Sequence, residues 1–174
     1  YSLIGPVLVA MNPYKSLDIY GKKQRDLATE NRIKFAHPYG VMAEAIFNMM
    51  NEHKDQTIVI GGESGAGKTE TAKKLVEYSL SLTGEGNAPP LEDSNPIMES
   101  FGNAKTVRNN NSSRFGKFMK IFYNENASIV GASMETFMME RSRIVTLMPE
   151  ERNYHIFYQL LAGASSSMKV DLEL

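Results

Sequence analysis

Apolar residues recur along the first part of the chain at spacings that predict a strand followed by helices. Residues 3–11 are mostly apolar and predict a strand that ends in a turn at Asn12-Pro13. The polar residues 15–34 predict a surface loop with a short helix. Helical spacing then predicts a helix from Pro38 to about His53. Its inner face would carry Val41, Ala45, Ile46, Met49 and Met50.

The middle of the chain changes its periodicity twice within thirty residues. Residues 56–60 are rich in β-branched side chains and predict a short buried strand. A glycine-rich stretch follows, and residues 69–82 then return to helical spacing. The apolar face of that predicted helix consists of Ala72, Leu75, Val76, Ser79 and Leu80. Residues 83–93 contain glycine and proline without periodicity and predict a flexible surface loop.

The last part of the chain predicts two helices and a hairpin. Ser94 would cap a helix to about Ala104, with Ile97, Met98 and Phe101 toward the core. Residues 115–123 and 129–139 predict two strands joined by a turn at 124–126. A helix is predicted over residues 153–162, led by the acidic residues Glu150 and Glu151, which would suit its dipole as a first turn. The predicted inner side of this helix carries Tyr154, Phe157, Tyr158 and Leu161. Residues 170–174 also look helical. Strands mixed with helices predict an α/β fold with a mixed sheet.

The glycine-rich stretch carries the strongest chemical signal. Residues 62–69 read G-x-x-x-x-G-K-T, the pattern of a loop that binds the phosphates of a nucleoside triphosphate. Glycines allow successive backbone N–H groups to point at phosphate oxygens, and a helix N-terminus adds partial positive charge. Lys68 supplies a full charge for the β- and γ-phosphates, and the Thr69 hydroxyl is a hard oxygen ligand for Mg²⁺. The motif positions are Gly62, Glu63, Ser64, Gly65, Ala66, Gly67, Lys68 and Thr69.

A polar run at residues 108–114 is the second candidate. Asn109, Ser112 and Ser113 offer an amide and hydroxyls that can bind phosphate, Mg²⁺ or water. Taken alone, the run favours a solvated loop held by side-chain-to-backbone hydrogen bonds over a binding loop. Arg114 could serve as an arginine finger, as half of a gating ion pair or as a plain surface residue.

Composition narrows the class of protein. The chain has 174 residues, a formal net charge of -1 and no cysteine. These values give no electrostatic attraction to nucleic acid and no thiolate metal site, and no apolar run is long enough for membrane insertion. We therefore expect a cytoplasmic protein, and the first residue, Tyr1, leads us to expect a piece of a longer chain. Downstream of the glycine loop, neither Asp93 nor Asp171 ends an apolar strand, so the expected catalytic set is incomplete within these residues.

Several strings together resemble the head of a myosin motor. They are residues 62–70 (GESGAGKTE), 101–106 (FGNAKT), 109–117 (NNNSSRFGK), 140–143 (ERSR) and 154–159 (YHIFYQ). Asn12-Pro13 followed by Tyr20 is similar to the adenine-binding segment of that family. The likeness runs in order from about residue 6 to residue 164. Residues 94–97 and 128–132 are also similar to the class V branch.

The resemblance implies roles for individual residues. The chain would be a partial motor domain with an adenine-binding segment (12–20), a phosphate loop (62–69), a surface loop (83–93) and a first switch loop (108–116). Asn12, Pro13, Tyr20, Glu70 and Lys74 would line the adenine end. Thr69 and Ser113 would hold Mg²⁺, and Asn109 and Ser112 would contact the γ-phosphate, with Ser112 also positioning the attacking water. Arg114 would pair with a glutamate of a second switch loop, which lies beyond Leu174 in the family.

The resemblance also implies an activity and partners. The whole protein would hydrolyse ATP with Mg²⁺, move along actin filaments and carry light chains or calmodulin on a lever arm. It would be cytoplasmic and associated with the cytoskeleton, without binding nucleic acid. The 174 residues alone would be nearly inactive because the second switch loop is absent. Two other functions remain open: a non-catalytic nucleotide-binding fragment, and a phosphate-loop kinase, although no lid-like arginine cluster supports a kinase.

Overall fold

A computed structural model of the chain describes residues 1–82 and 94–174. These residues form two compact units. The first unit contains the described residues up to Leu82 together with Ile121–Ala132, and the second contains those from Ser94 to Lys120 together with Ser133–Leu174. The predicted surface loop at residues 83–93 lies outside the described residues.

The first unit begins with a hairpin rather than the single strand predicted for residues 3–11. Strand β1 (Ser2–Ile4) pairs antiparallel with β2 (Val7–Val9), with Leu3 opposite Leu8. Gly5 between them has φ +58°, a left-handed conformation that favours glycine, and Pro6 follows it. The Gly5-Pro6 dipeptide therefore marks the turn between β1 and β2, although the residues on both sides are apolar.

Three helices build the core of the first unit. They are α1 (Lys22–Asn31), α2 (Pro38–Glu52) and α3 (Lys68–Leu82), and a 3-10 turn at Arg32–Lys34 follows α1. Helix α2 packs against both α1 and α3. The predicted bounds of α2 and α3 are confirmed, but the buried face of α2 is centred on Tyr39, Met42, Ala43 and Ile46. A helix with neighbours on two sides buries a stripe that lies between them, so only Ile46 of the predicted face is fully buried.

The strand predicted for residues 56–60 does not form. This segment has no regular secondary structure and no ladder partner among the described residues. Ile58 and Ile60 still pack against the helical core, while Val59 between them is 87% exposed. The alternation of buried and exposed side chains is that of a strand, but a strand also requires a neighbour that supplies hydrogen bonds.

A predicted hairpin is confirmed in strands β5 (Gly116–Tyr123) and β6 (Ile129–Phe137). The turn is held by Asn124, whose side-chain oxygen accepts hydrogen bonds from the backbone N–H groups of Asn126 and Ser128 at 3.0 Å. Ala127 in this turn has φ +58°. Asparagine at the start of a turn commonly binds the backbone ahead of it in this way.

The second unit contains helices α4 (Ser94–Gly102), α5 (His155–Gly163) and α6 (Ser166–Asp171). Two short strands, β3 (Asn103–Ala104) and β4 (Ser112–Ser113), pair antiparallel, and a 3-10 turn spans Arg141–Ile144. Helix α4 ends two residues earlier than predicted, because residues 103 and 104 form β3. The prediction that Ile97 and Phe101 face the core is wrong, because they are 64% and 57% exposed.

The acidic first turn predicted for α5 is also wrong. Helix α5 begins at His155, after both glutamates, and its first turn contains no acidic residue. Glu151 instead binds Arg143 through an ion pair of 2.8 Å. The buried Arg143 guanidinium therefore binds the Glu151 carboxylate, which was expected to interact with the helix dipole.

The described strands form three separate two-stranded sheets, β1–β2, β3–β4 and β5–β6. The chain thus has the predicted mixture of helices and strands, but within the described residues it lacks the single mixed sheet. No described helix is long and apolar enough to cross a membrane.

Candidate functional site

The glycine loop at residues 62–69 lies in the first unit, immediately before α3. Gly65 and Gly67 have φ +82° and +98°, values that L side chains rarely adopt. A tight turn closes the loop, since the Ala66 N–H donates to the Glu63 carbonyl at 3.2 Å. The helix then starts at Lys68, and its N-terminal N–H groups and partial positive charge lie at the end of the loop. This local geometry suits phosphate oxygens.

Lys68 folds back over the loop. Its ammonium group donates to the carbonyls of Gly62 at 2.6 Å and Glu63 at 2.8 Å. The lysine charge is therefore held against the same turn whose N–H groups suit an anion. A cation held by two carbonyls needs little rearrangement to transfer its hydrogen bonds to phosphate oxygens.

The structure brings the predicted adenine-binding segment to the glycine loop. The Asn12 side-chain amide donates to the Gly65 carbonyl at 2.8 Å, and its oxygen accepts from the Tyr14 N–H at 2.9 Å. The predicted turn at Asn12-Pro13 is therefore an asparagine turn that also fixes the loop. Pro13 is exposed beside it.

Tyr20 and Lys74 also meet, at the side of α3. The Lys74 ammonium lies 4.9 Å from the centre of the Tyr20 ring, within the range of a cation–π contact, and it pairs with Glu77 at 2.5 Å. Glu77 also accepts a hydrogen bond of 2.7 Å from the Tyr39 hydroxyl. Burial raises the pKa of the Glu77 carboxyl, but the hydrogen bonds from Lys74 and Tyr39 outweigh it and lower the pKa. Glu70 is exposed and pairs with Lys73.

A cavity of about 310 Å³ lies beside the glycine loop. Much of its wall is aliphatic, although backbone of the loop and Lys68 border it. The aliphatic part of this wall favours apolar atoms, and the loop backbone and Lys68 supply its polar part. The aliphatic lining residues are Leu8, Val41, Ile58, Ile60 and Leu75.

The asparagine–serine loop, residues 105–114, lies in the second unit. It leaves β3, closes on itself and returns as β4, where Ala104 pairs with Ser112 and Asn103 with Ser113. The Thr106 N–H donates to the Asn109 carbonyl at 2.8 Å. The Asn109 side-chain oxygen accepts from the Asn111 N–H at 2.9 Å. The loop therefore has a defined internal structure.

Asn111 fixes the outer part of this loop to its surroundings. Its side-chain oxygen accepts from the Asn103 amide at 3.0 Å and contacts the His155 ring at 2.9 Å. Its amide donates to Glu99 at 3.1 Å. No local pattern indicates a role for Asn111, because its partners lie on β3, α4 and α5.

Arg114, at the end of the loop, is already paired. Its Nε donates to Glu140 Oε2 at 2.6 Å, and Nη1 donates to the Ser112 hydroxyl at 3.2 Å. Chiefly through the Arg114 hydrogen bond, the pKa of the Glu140 carboxyl is held below its usual range. The interpretation of Arg114 as a plain surface residue is therefore wrong, while its pairing with a second-switch glutamate stays a prediction.

Three further residues are partners of this loop, and the sequence pattern does not indicate them: Glu140, Arg143 and Glu151. Glu140 and Arg143 belong to the string ERSR, which carries only the family resemblance. No local signal in the sequence links them to the loop, because Glu140 lies 26 residues beyond Arg114 and Glu151 lies 44 residues beyond Val107.

The fit to a nucleotide with Mg²⁺ can be judged for each loop by itself. The glycine loop joins a backbone turn of the required conformation to a lysine and a threonine at a helix start. The asparagine–serine loop presents two adjacent hydroxyls on β4, of which Ser112 is buried and Ser113 is exposed. Hydroxyl oxygens are suitable Mg²⁺ ligands, so Thr69 and Ser113 each present a donor of the right type.

The fold and these two loops define an α/β protein with a loop suited to phosphate. The whole chain, residues 1–174, matches the family described as Myosin head (motor domain). The chain therefore belongs to the myosin head family. This membership confirms the family-level resemblance and does not favour a phosphate-loop kinase.

Named relatives agree with this assignment. The chain is 46% identical over 175 residues to Myosin-3 of Arabidopsis thaliana, covering 100% of the chain and 15% of the relative. It is 44% identical over 178 residues to Unconventional myosin heavy chain 6 of Caenorhabditis elegans, covering 100% of the chain and 8% of the relative. The match to Myosin-I heavy chain of Dictyostelium discoideum is 46% identical over 178 residues, again covering 100% and 8%. The chain thus spans a small part of these proteins, and its likeness to class V stays a prediction.

Proposed function

We propose that this chain is the ATP-binding part of an actin-based motor that hydrolyses ATP to ADP and phosphate. The observation that carries the proposal is the glycine loop, in which left-handed Gly65 and Gly67 precede α3 and Lys68 folds over the turn. Membership of the myosin head family supports the same function. The proposal includes a phosphate-loop NTPase fold, whose full sheet requires strands beyond the described hairpins.

In this proposal, the chain contributes binding and charge neutralisation. Residues 62–69 hold the phosphates with backbone N–H groups, and Lys68 neutralises charge that develops on the γ-phosphate. Asn12, Pro13, Tyr20, Glu70 and Lys74 line the adenine end. The contact of Lys74 with Tyr20 and the hydrogen bond from Asn12 to Gly65 support that assignment.

The asparagine–serine loop detects the γ-phosphate. Asn109 and Ser112 contact it, and Ser112 orients the attacking water, as the family motif implies. Thr69 and Ser113 each contribute a hydroxyl ligand for Mg²⁺, an assignment that rests on their motif positions. When bound, Mg²⁺ supplies neutralisation of the phosphate charge. Because the loop binds the nucleotide differently before and after hydrolysis, its conformation follows the chemical state.

The partners follow from the same family. The whole protein binds actin filaments, carries light chains or calmodulin and is associated with the cytoskeleton in the cytoplasm. The formal net charge of -1 gives no reason to add nucleic acid to these partners.

The test is ATP binding and turnover by the full-length protein with Lys68→Ala. We expect ATP turnover to fall by roughly a hundredfold or more, because a charge that acts on the transition state is removed. Lys120→Ala is the matched control, since Lys120 belongs to neither loop and pairs with Glu135 at 3.0 Å. Turnover that Lys68→Ala leaves unchanged would contradict the proposal.

A further inference from the structure

Arg143 is the most deeply buried charged group of the second unit for which hydrogen bonds are described. Its side chain is 4% exposed, and all three of its guanidinium nitrogens donate hydrogen bonds. A buried guanidinium is stable only when carboxylates and carbonyls satisfy it. The partners of Arg143 therefore show which parts of the chain it holds together.

The first branch from Arg143 leads to the end of the asparagine–serine loop. Arg143 Nε donates to Glu140 Oε2 at 2.7 Å, and the same oxygen accepts from Arg114 Nε at 2.6 Å. One carboxylate oxygen thus joins the buried arginine to Arg114. The backbone adds a second tie, because the Glu140 N–H donates to the Arg114 carbonyl at 3.0 Å.

The second branch leads to the start of the same loop. Arg143 Nη2 donates to Glu151 Oε2 at 2.8 Å. The other oxygen, Oε1, accepts from the Val107 N–H at 3.4 Å. Beside it, the Arg152 N–H donates to the Lys105 carbonyl at 3.0 Å, and Arg143 Nη1 donates to the Arg152 carbonyl at 3.0 Å. Arg143 is therefore connected to both ends of the loop through two different glutamates.

We propose that Arg143 is a positioning residue for the asparagine–serine loop, acting through Glu140 at the end of the loop and through Glu151 at its start. The expected effect of Arg143 on catalysis rests on the proposed function, because the loop carries the residues assigned to the γ-phosphate and Mg²⁺. Arg143 itself contacts no substrate atom in this proposal.

The physical reason is the geometry of the guanidinium group. A planar fork can bind two carboxylates in fixed directions, whereas a lysine ammonium is a point charge on a flexible stem. Without the Arg143 guanidinium, the Glu140 and Glu151 carboxylates lose a cationic partner and turn toward solvent. The Val107 N–H and the Arg114 guanidinium then lose fixed partners, and the loop samples more conformations.

The experiment uses the full-length protein with Arg143→Lys and with the nearly isosteric Glu151→Gln. The matched controls are Arg141→Lys, at an exposed position of the same 3-10 turn, and Glu150→Gln, at the exposed neighbouring glutamate. Hydrogen exchange is measured without nucleotide at the amides of residues 105–114. We expect exchange there to accelerate roughly five- to thirtyfold in both test variants, a factor that corresponds to about 1–2 kcal/mol, and to stay unchanged in both controls.

ATP turnover of the same four variants gives the second readout. We expect Arg143→Lys and Glu151→Gln to lower the turnover rate about tenfold and the two controls to leave it unchanged. A loosened loop with unchanged turnover would overturn the assignment of Arg143 as a positioning residue for catalysis. Unchanged exchange in both test variants would overturn the anchoring itself.

The two proposals fail in different ways. If the unmodified protein does not bind ATP, the proposed function fails, while hydrogen exchange still tests the anchoring. If Arg143→Lys accelerates exchange throughout the protein, its effect is general destabilisation, and Glu151→Gln then decides. Local acceleration at Val107 in that variant supports the anchoring, and unchanged exchange there overturns it.

Discussion

At the scale of single residues, Gly61 and Gly67 show how conformational strain can be distinguished from steric overlap in and beside the glycine loop. A Cβ added to either glycine would meet no atom within 4 Å. Only Gly67 has a φ in the left-handed range, at +98°. Substitution at the two positions therefore separates the effect of backbone conformation from that of steric overlap.

We predict that Gly67→Ala weakens ATP binding roughly five- to thirtyfold, while Gly61→Ala changes it little. An L side chain in the left-handed region costs about 1–2 kcal/mol, so the alanine variant disfavours the loop conformation that suits phosphate. Equilibrium titration of the full-length protein with ATP measures the difference. Equal affinities of the two variants would show that the conformation at Gly67 is not required.

The loop and helix start at residues 62–69 could be predicted from the sequence because the motif is local. The residues that hold the asparagine–serine loop could not, because their partners are distant in the sequence. Glu140 lies 26 residues from Arg114, and Glu151 lies 44 residues from Val107. No local pattern indicates which of several glutamates a given arginine will meet.

At the scale of elements, helix α2 begins with an unusual cap. The His37 Nδ1 atom accepts from the Tyr39 N–H at 3.1 Å, and Nε2 contacts the Ile19 carbonyl at 2.8 Å. The first bond requires an unprotonated Nδ1, so Nε2 carries the proton and donates. Burial, the largest influence, lowers the pKa of His37. The hydrogen bond to Ile19 opposes this shift, and the rings of Tyr20, Phe35 and Tyr39 surround the imidazole.

We predict that the start of α2 loses stability as the pH falls below about 6.5, the pKa of His37 in the unfolded chain. Between the lowered folded pKa and 6.5, the unfolded chain binds a proton that the folded chain does not, so stability falls with falling pH. Hydrogen exchange at the Tyr39 amide, corrected for intrinsic rates, measures the effect. His37→Asn retains a cap acceptor and should remove the pH dependence, whereas His53→Asn should leave it intact.

Helices were easier to predict than strands for a physical reason. The bounds of α2 and α3 follow from bonds within each helix and from glycine and proline at their starts. Residues 56–60 show the right composition and alternation, but no ladder partner lies among the described residues. The prediction of a single strand over residues 3–11 was wrong for the opposite reason. The partner strand lies within the same run, and Gly5 lies in the turn between the two strands.

At the scale of the whole molecule, the single mixed sheet was not predictable from these 174 residues, and the described residues do not form it. Strand pairing depends on long-range partners, whereas each of the three observed sheets joins strands that are close in sequence. The helical core of the first unit could be predicted in outline because its helices are amphipathic. Their packing onto one another decided which face became buried.

The last prediction concerns the activity of the 174 residues alone. We expect this chain to hydrolyse ATP at least about a hundredfold more slowly than the full-length protein in a single-turnover assay. Arg114 is engaged by Glu140 at 2.6 Å, and the family resemblance assigns it a further glutamate partner in a second switch loop, which helps to form the catalytic arrangement. Loss of one group that positions water or stabilises developing charge reduces rates by about two to four powers of ten. Protection of the Tyr39 amide, which lies in the buried core, serves as the control that the isolated chain is folded. Equal rates for a folded isolated chain and the full-length protein would show that its own residues complete the catalytic site.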